Sequence, residues 1–322
     1  MIPFLDEERR EAHKLRNLLH SGLLVIGLGL LLAVCAWLIW GWSGIIWSFL
    51  LIGLFLFIAP RISPGAIMRM YRAVPLDPRH GAQLQRIVTI LADRAELPET
   101  PRLFVIPSAT LNAFATGTPE NAFIAVTEGL LRKLDLREIT NVLAHEMSHI
   151  RNNDLRIMGL ADLMSRLTQF LSFVGLFLLF LNLPFALMGK AAIPWMAALL
   201  LYLAPTIGSL LQLGLSRARE YDADLEGAQL TGDPEGLASA LDKLERYQGQ
   251  FWEEIFFPGR RIPYPSILRS HPATQERIKR LMQLRPNLPT VAVPNEPMIT
   301  LVGYGPATLQ PRYHWPWPGI WY

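Results

Sequence analysis

Apolar positions fall into four long runs, and between them the chain keeps the short periods of water-soluble structure. Residues 18–40 are apolar with little interruption, long enough to cross a bilayer, which takes ~20 helical residues. Gly41, Trp42, Ser43 and Gly44 make a short turn, and 44–59 is apolar again up to Pro60. The pair predicts a transmembrane hairpin, with Trp42 and Trp47 near its turn, where interfacial aromatics belong. A cleaved signal peptide is the competing reading of the first run. Its length, and the second run that follows at once, argue against that reading. A third run covers 167–188 and a fourth 191–215, with Gly189 and Lys190 between them and Pro184 and Pro194 at the borders. These fit a second transmembrane hairpin or a buried core pair, and their length and scarcity of charge favour the membrane.

The intervening segments read as a soluble α+β unit in two pieces. Leu84, Ile87, Val88 and Leu91 repeat at helical spacing within 77–96, and Pro98 and Pro101 end that helix. Residues 102–106 predict a short strand. Residues 112–116 and 121–127 flank a turn-rich linker at 117–120 and predict a β-hairpin. Thr127 opens a helical turn. Asp135 caps the next helix, with Glu138 three residues on to complete a capping box, and that helix runs to about residue 154. After the fourth apolar run, 216–247 suits a polar helix interrupted at 232–234. Residues 251–269 are aromatic, Pro-rich and loop-like, and 274–284 form a short basic helix. The tail, 286–322, carries Pro, Trp and Tyr without periodicity and predicts an extended segment.

Composition sharpens this picture. The 322 residues are 51% hydrophobic and 18% charged, against roughly 25% charged in soluble proteins. An integral membrane protein with a soluble part follows. A net charge of +3 is too small to argue for nucleic acid, and the basic residues sit beside apolar runs. Arg9, Arg10, Lys14 and Arg16 precede the first run, Arg61, Arg69, Arg72 and Arg79 follow the second, and Arg217 and Arg219 follow the fourth. By the positive-inside rule these flanks are cytoplasmic. Cys35 is the single cysteine, so an internal disulfide and a cysteine-based zinc site are both excluded. Any metal must be held by histidine and carboxylate.

The candidate chemistry lies in the helix after Asp135. His145 and His149 are four apart, which stacks two imidazoles on one helix face. Glu146 lies beside them, placed to take a proton from metal-bound water. A catalytic zinc commonly takes a third protein ligand. Glu220 and Asp224, again four apart, offer two carboxylates on one face: one can bind the metal, and the other can accept the N–H of a ligand histidine.

Several motifs occur together in a fixed order. They are His145-Glu-x-x-His149 with Asp154 five residues on, Ser216-Arg-x-x-Glu220-x-x-Ala-Asp224, and Ser270-His-Pro272, with an apolar hairpin between the first two. In this the chain resembles the HtpX-type membrane zinc metallopeptidases, relatives of the CAAX prenyl-protein endopeptidases. Asn112-Ala-Phe-Ala-Thr-Gly117 and Val126-Thr-Glu-Gly-Leu-Leu131 match the strand and helix that precede the active-site helix in that family. The resemblance covers roughly residues 65–285, with the N-terminal hairpin alike by position and hydropathy. It implies one Zn2+ held by His145, His149 and Glu220, with Glu146 as general base. Asp224, and Asp154 as well, would stand behind the ligands, although Asp154 also suits a helix end. His271 would stabilise the oxyanion, and Asn112 on the edge strand would hold the substrate backbone.

The expected architecture is α+β: a zincin-like catalytic domain with a small β-sheet and an active-site helix, plus four mostly apolar transmembrane helices. The expected divisions are a cytoplasmic segment at 1–17, a hairpin at 18–60 and catalytic parts at 61–166 and 216–285. A second hairpin covers 167–215, and the tail covers 286–322. The expected activity is internal peptide-bond hydrolysis, with misfolded or damaged membrane proteins as substrates by resemblance. The partners are the lipid bilayer and polypeptides, and the oligomeric state is left open. The expected location is a bacterial-type inner membrane, with the catalytic domain cytoplasmic. One rival is a catalytically inactive membrane interaction protein with a structural zinc site. A second is a scaffold or transport protein with an accidental motif, which predicts no stoichiometric zinc.

Overall fold

The structure is a computed structural model describing residues 7–58, 63–77, 81–190, 194–256 and 274–283. Two compact units emerge. Among the described residues, one gathers those of 63–155 with those of 220–256 and 274–283, and the other gathers 7–58 with those of 156–219.

The first unit is built on a four-stranded sheet in the order β1-β2-β4-β3, with β1 Val74–Pro75, β2 Arg102–Ile106, β3 Ala113–Thr118 and β4 Asn121–Thr127. β2 and β4 run parallel, with Ile106 opposite Thr127. β1 and β3 pair antiparallel to their neighbours. β3 pairs only with β4 among the described strands, so its other side is an open edge. One face of the sheet joins Leu103, Val105, Ile124 and Val126 to Leu84, Ile87 and Leu91 of α3 (Ala82–Arg94), to Leu130 of α4 (Glu128–Lys133) and to Ile139, Leu143 and Met147 of α5 (Leu136–Arg151). The opposite face packs Phe123 and Ala125 against Met68 of α2 (Pro64–Met70), with Tyr71, Phe104 and Phe114 beside them.

Local chemistry positions α5. Asp135 Oδ1 accepts from the Glu138 amide at 2.8 Å, and Glu138 Oε2 accepts from the Asp135 amide at 2.9 Å, satisfying two donors at the helix start. Glu138 is otherwise buried, and Ser239 Oγ and Lys243 Nζ of α8 (Pro234–Phe256) reach it at 2.6 and 2.7 Å. At the far end, Asn152 closes the helix and Asn153 takes a left-handed φ of 54°, a conformation asparagine tolerates better than most residues. That corner starts α6 (Asp154–Leu187) five residues beyond His149.

Residues 220–231, the polar end of α7 (Trp195–Thr231), lie across α5. Gly227 permits the approach, since a Cβ there would stand 3.1 Å from the His145 Cα. Glu226 Oε2 accepts from Ser148 Oγ at 3.1 Å and from Asn152 Nδ2 at 2.8 Å, tying the two helices together. Asp233 then caps α8 by accepting from the Gly236 amide, and Arg137 clasps the same carboxylate with two bonds of 2.6 Å.

The second unit holds three helices long and apolar enough to cross a membrane: α1 (Glu7–Ile58), α6 and α7. α1 is broken at Gly41, where φ is 60° and ψ is −144°. Beyond the break the chain turns back, and a Cβ at Gly44 would collide with the Ala36 carbonyl. In an unbroken helix, residues eight apart are ~12 Å apart. Leu28, Leu32 and Ala36 before the break share a core with Ile52 after it, with Ala161 and Leu171 of α6 and with Leu201 and Ala204 of α7. The outward positions are as apolar as the core: Trp37, Trp42, Phe173, Phe180 and Tyr202 are all more than half exposed.

Two readings change. Residues 251–256 continue α8 and are not loop. α2 and β1 have no counterpart among the elements expected from sequence. The rest of 257–273, His271 included, and the tail from 284 lie outside the described residues.

Candidate metal centre

His145, His149 and Glu220 converge, each offering one ligand atom within 4.8 Å of the others. The two Nε2 atoms are 3.2 Å apart. Glu220 places Oε2 3.6 Å from His145 Nε2 and Oε1 3.9 Å from His149 Nε2. Tetrahedral zinc, with bonds of about 2.0–2.1 Å, wants ligand atoms about 3.3–3.4 Å apart. The donor set fits that ion: two imidazoles and a carboxylate, with two spacings close to the requirement and the third, from His149 to the other Glu220 oxygen, about half an ångström longer.

Both imidazoles are turned by carboxylates. His145 Nδ1 faces Asp224 Oδ1 at 3.2 Å, and His149 Nδ1 faces Asp154 Oδ2 at 2.8 Å. A carboxylate at Nδ1 holds the proton there and leaves the Nε2 lone pair for a metal. Burial alone would lower the His149 pKa. The hydrogen bond His149 donates to Asp154 and the charges of Glu220 and Glu146 outweigh burial and push it up to about 9.

Glu146 points from the same helix face and accepts a hydrogen bond from the Ala115 amide of β3. Burial raises its pKa and Glu220 adds to the rise, while His145 and His149 oppose it. Burial thus leaves Glu146 easier to protonate than a free carboxylate.

Asn112 lies just before β3, and its main chain is held by Thr127. The Thr127 amide donates to Asn112 O at 3.0 Å, and the Asn112 amide donates to Thr127 Oγ1 at 3.0 Å. The Thr127 hydroxyl is also 2.6 Å from Thr110 O. The alternation of an antiparallel ladder then turns the amides and carbonyls of Ala113, Ala115 and Gly117 toward the open edge, in keeping with the bond from Ala115 to Glu146.

Sequence reasoning missed Arg277. It sits on α9 (Thr274–Met282), read from sequence only as basic, and is 7% exposed. Its guanidinium clasps Asp224 with bonds of 2.7 and 2.6 Å and reaches Glu220 Oε2 at 3.1 Å. Burial opposes the Asp224 charge, but the bonds from Arg277 and His145 hold its pKa below the usual carboxylate range. The signal was available in the helix period: Leu281, four residues on, is buried, which puts Arg277 on the inward face.

Comparison with known proteins agrees with this geometry. The family model for peptidase family M48 matches residues 78–285. A protease HtpX homolog of Burkholderia thailandensis is 39% identical over 239 residues, covering 69% of this chain and 81% of that protein. One from Burkholderia ambifaria is 36% identical over 285 residues, covering 83% and 97%. Among solved structures, Ste24p of S. mikatae shares the fold with a TM-score of 0.50 at 21% identity, over 84% of this chain and 66% of that one. With its His-Glu-x-x-His helix inside the matched segment and its apolar helices flanking it, the chain belongs to peptidase family M48 and is a membrane metalloprotease.

Proposed function

We propose that this protein is a zinc endopeptidase of the bilayer that cleaves misfolded or damaged membrane proteins. The observation that carries the chemistry is the convergence of His145, His149 and Glu220, with a carboxylate behind each imidazole and Glu146 alongside. His145, His149 and Glu220 would hold Zn2+, with Asp224 and Asp154 orienting the rings. Bound there, zinc supplies a Lewis acid that makes water acidic enough to lose a proton near neutrality.

Glu146, its proton affinity raised by burial, takes that proton and passes it to the leaving amine. The open edge of β3 receives an extended peptide by main-chain hydrogen bonds from Ala113 and Gly117, while the Ala115 amide holds Glu146 in place. Asn112 adds its side-chain amide to that grip. His271, outside the described residues, would donate to the oxyanion. Main-chain recognition carries little sequence preference, which suits an enzyme acting on unfolded substrates.

The break at Gly41 supports counting α1 as two crossings, at 18–40 and 44–59, so that α6 and α7 make four. The basic flanks of those crossings support a cytoplasmic catalytic domain assembled from 61–166 and 216–285, with 286–322 as a tail. The test is Glu146→Gln in the full chain. Zinc content and thermal midpoint stay at wild-type values, while cleavage of casein falls ~10²–10⁴-fold, the usual weight of a general base. Undiminished cleavage would remove Glu146 from this role.

A further inference from the structure

The three candidate ligands are not supported alike. His149 Nδ1 faces Asp154 Oδ2, on the corner that follows its own helix. His145 and Glu220 both trace back to one guanidinium. Arg277 holds both oxygens of Asp224, Asp224 Oδ1 stands 3.2 Å from His145 Nδ1, and the third arm of the same guanidinium meets Glu220 Oε2. Glu220 and Asp224 lie four apart on one helix face, and unopposed they would repel each other. A buried planar cation between them offsets that repulsion and fixes both directions. We propose that Arg277 is a positioning residue for the metal centre. It sets His145, through Asp224, and Glu220 as a single arm, while Asp154 sets His149 as an independent one.

The inference rests on the zinc reading of the site and concerns only how the ligands are held. Arg277 is buried on α9, whose other inward contacts are Leu281 and the half-buried Ile278, packed on Ala228, Leu237 and Leu241. Those apolar contacts remain when the arginine is replaced. The fork matters for a different reason: lysine could keep the charge but could hold only one of the two carboxylates in a fixed direction.

The experiment measures zinc affinity of the full chain in detergent, by competition with a chelating dye, alongside circular dichroism. Arg277→Gln is expected to weaken zinc ~10–100-fold, the usual loss for a residue that orients a ligand, and Arg277→Lys to fall between it and wild type. Two double variants separate positioning from general damage. Adding Asp224→Asn to Arg277→Gln should cost little more than Arg277→Gln alone, because both lie on one arm and the second change removes the Asp224 charge that the first leaves unmatched. Adding Asp154→Asn should multiply the two single losses. Wild-type zinc affinity in Arg277→Gln overturns the proposal, as do independent, multiplying losses for Arg277 and Asp224. If Arg277→Gln does not fold, Arg277→Lys and the Arg277→Gln/Asp224→Asn pair decide by the same comparison. Absence of zinc from the wild type would instead refute the metal reading itself.

Discussion

The two units bury opposite things. In the unit carrying the metal centre, Glu138, Asp154, Asp224 and Arg277 are each less than a tenth exposed, and each contacts a partner of opposite charge or an imidazole. In the helical unit the interior is Leu, Ala and the Cys35 thiol, while Phe173, Phe180, Trp37 and Trp42 face outward. One unit is organised for water outside and a few paired charges inside. The other shows a surface as apolar as its core, which only lipid tolerates. The lesson concerns where specificity is stored. In the first unit it lies in directed polar contacts that a single atom change disrupts. In the second it lies in length, hydropathy and close packing, which tolerate substitution but not charge.

Breaking each side of that contrast should cost different things. The largest effect is the ~10²–10⁴-fold loss of turnover in Glu146→Gln, read in a protease assay, with no change in membrane insertion. Next, Phe173→Lys places a cation on the outward face of α6, 71% exposed, and should cost ~2.5–3.5 kcal/mol of insertion. An insertion assay against Phe173→Leu checks it, with the leucine variant expected to match wild type. Asp154→Asn should weaken zinc by ~10–100-fold and leave insertion unchanged, checked by dye competition.

The smallest effect is on stability in acid. Hydrogen bonds from Lys243 and Ser239 hold the Glu138 pKa low despite burial, and Arg137 does the same for Asp233. A carboxylate whose folded pKa is depressed adds stability above its unfolded pKa, ~4 for these groups, and loses it as pH falls through the lower folded value. Melting of the first unit should therefore decline below about pH 4.3, and less steeply in Glu138→Gln. The core of the second unit is built on apolar side chains, and its helicity should hold over the same range.

What the sequence made legible follows the same division. The apolar runs and the turn at Gly41 could be read by counting, because hydropathy is a local property. α5 was legible in its period, its Asp135–Glu138 box and its two histidines, but not in its end, expected near residue 154 and found at Arg151, because the turn at Asn153 lets Asp154 begin a new helix. The β3–β4 hairpin was visible from the turn residues at 117–120. Short elements were not: α2 has seven residues and β1 two, one of them proline, so local preference says little about them. The extension of α8 to Phe256 was hidden by an aromatic-rich stretch that resembled loop. The approach of Glu220 to the histidines was legible only through a resemblance, since more than seventy residues separate them. Arg277 was missed because its meaning depends on two carboxylates brought to it by the fold.

The central claim is that side chains from α5 and from the polar end of α7 grip one ion. Metal analysis of the purified full chain, wild type beside Glu220→Ala, tests it most directly. The account predicts one zinc per wild-type chain and its loss from Glu220→Ala during dialysis that the wild type withstands. Full zinc retention in Glu220→Ala, or a wild type that binds none, would contradict it.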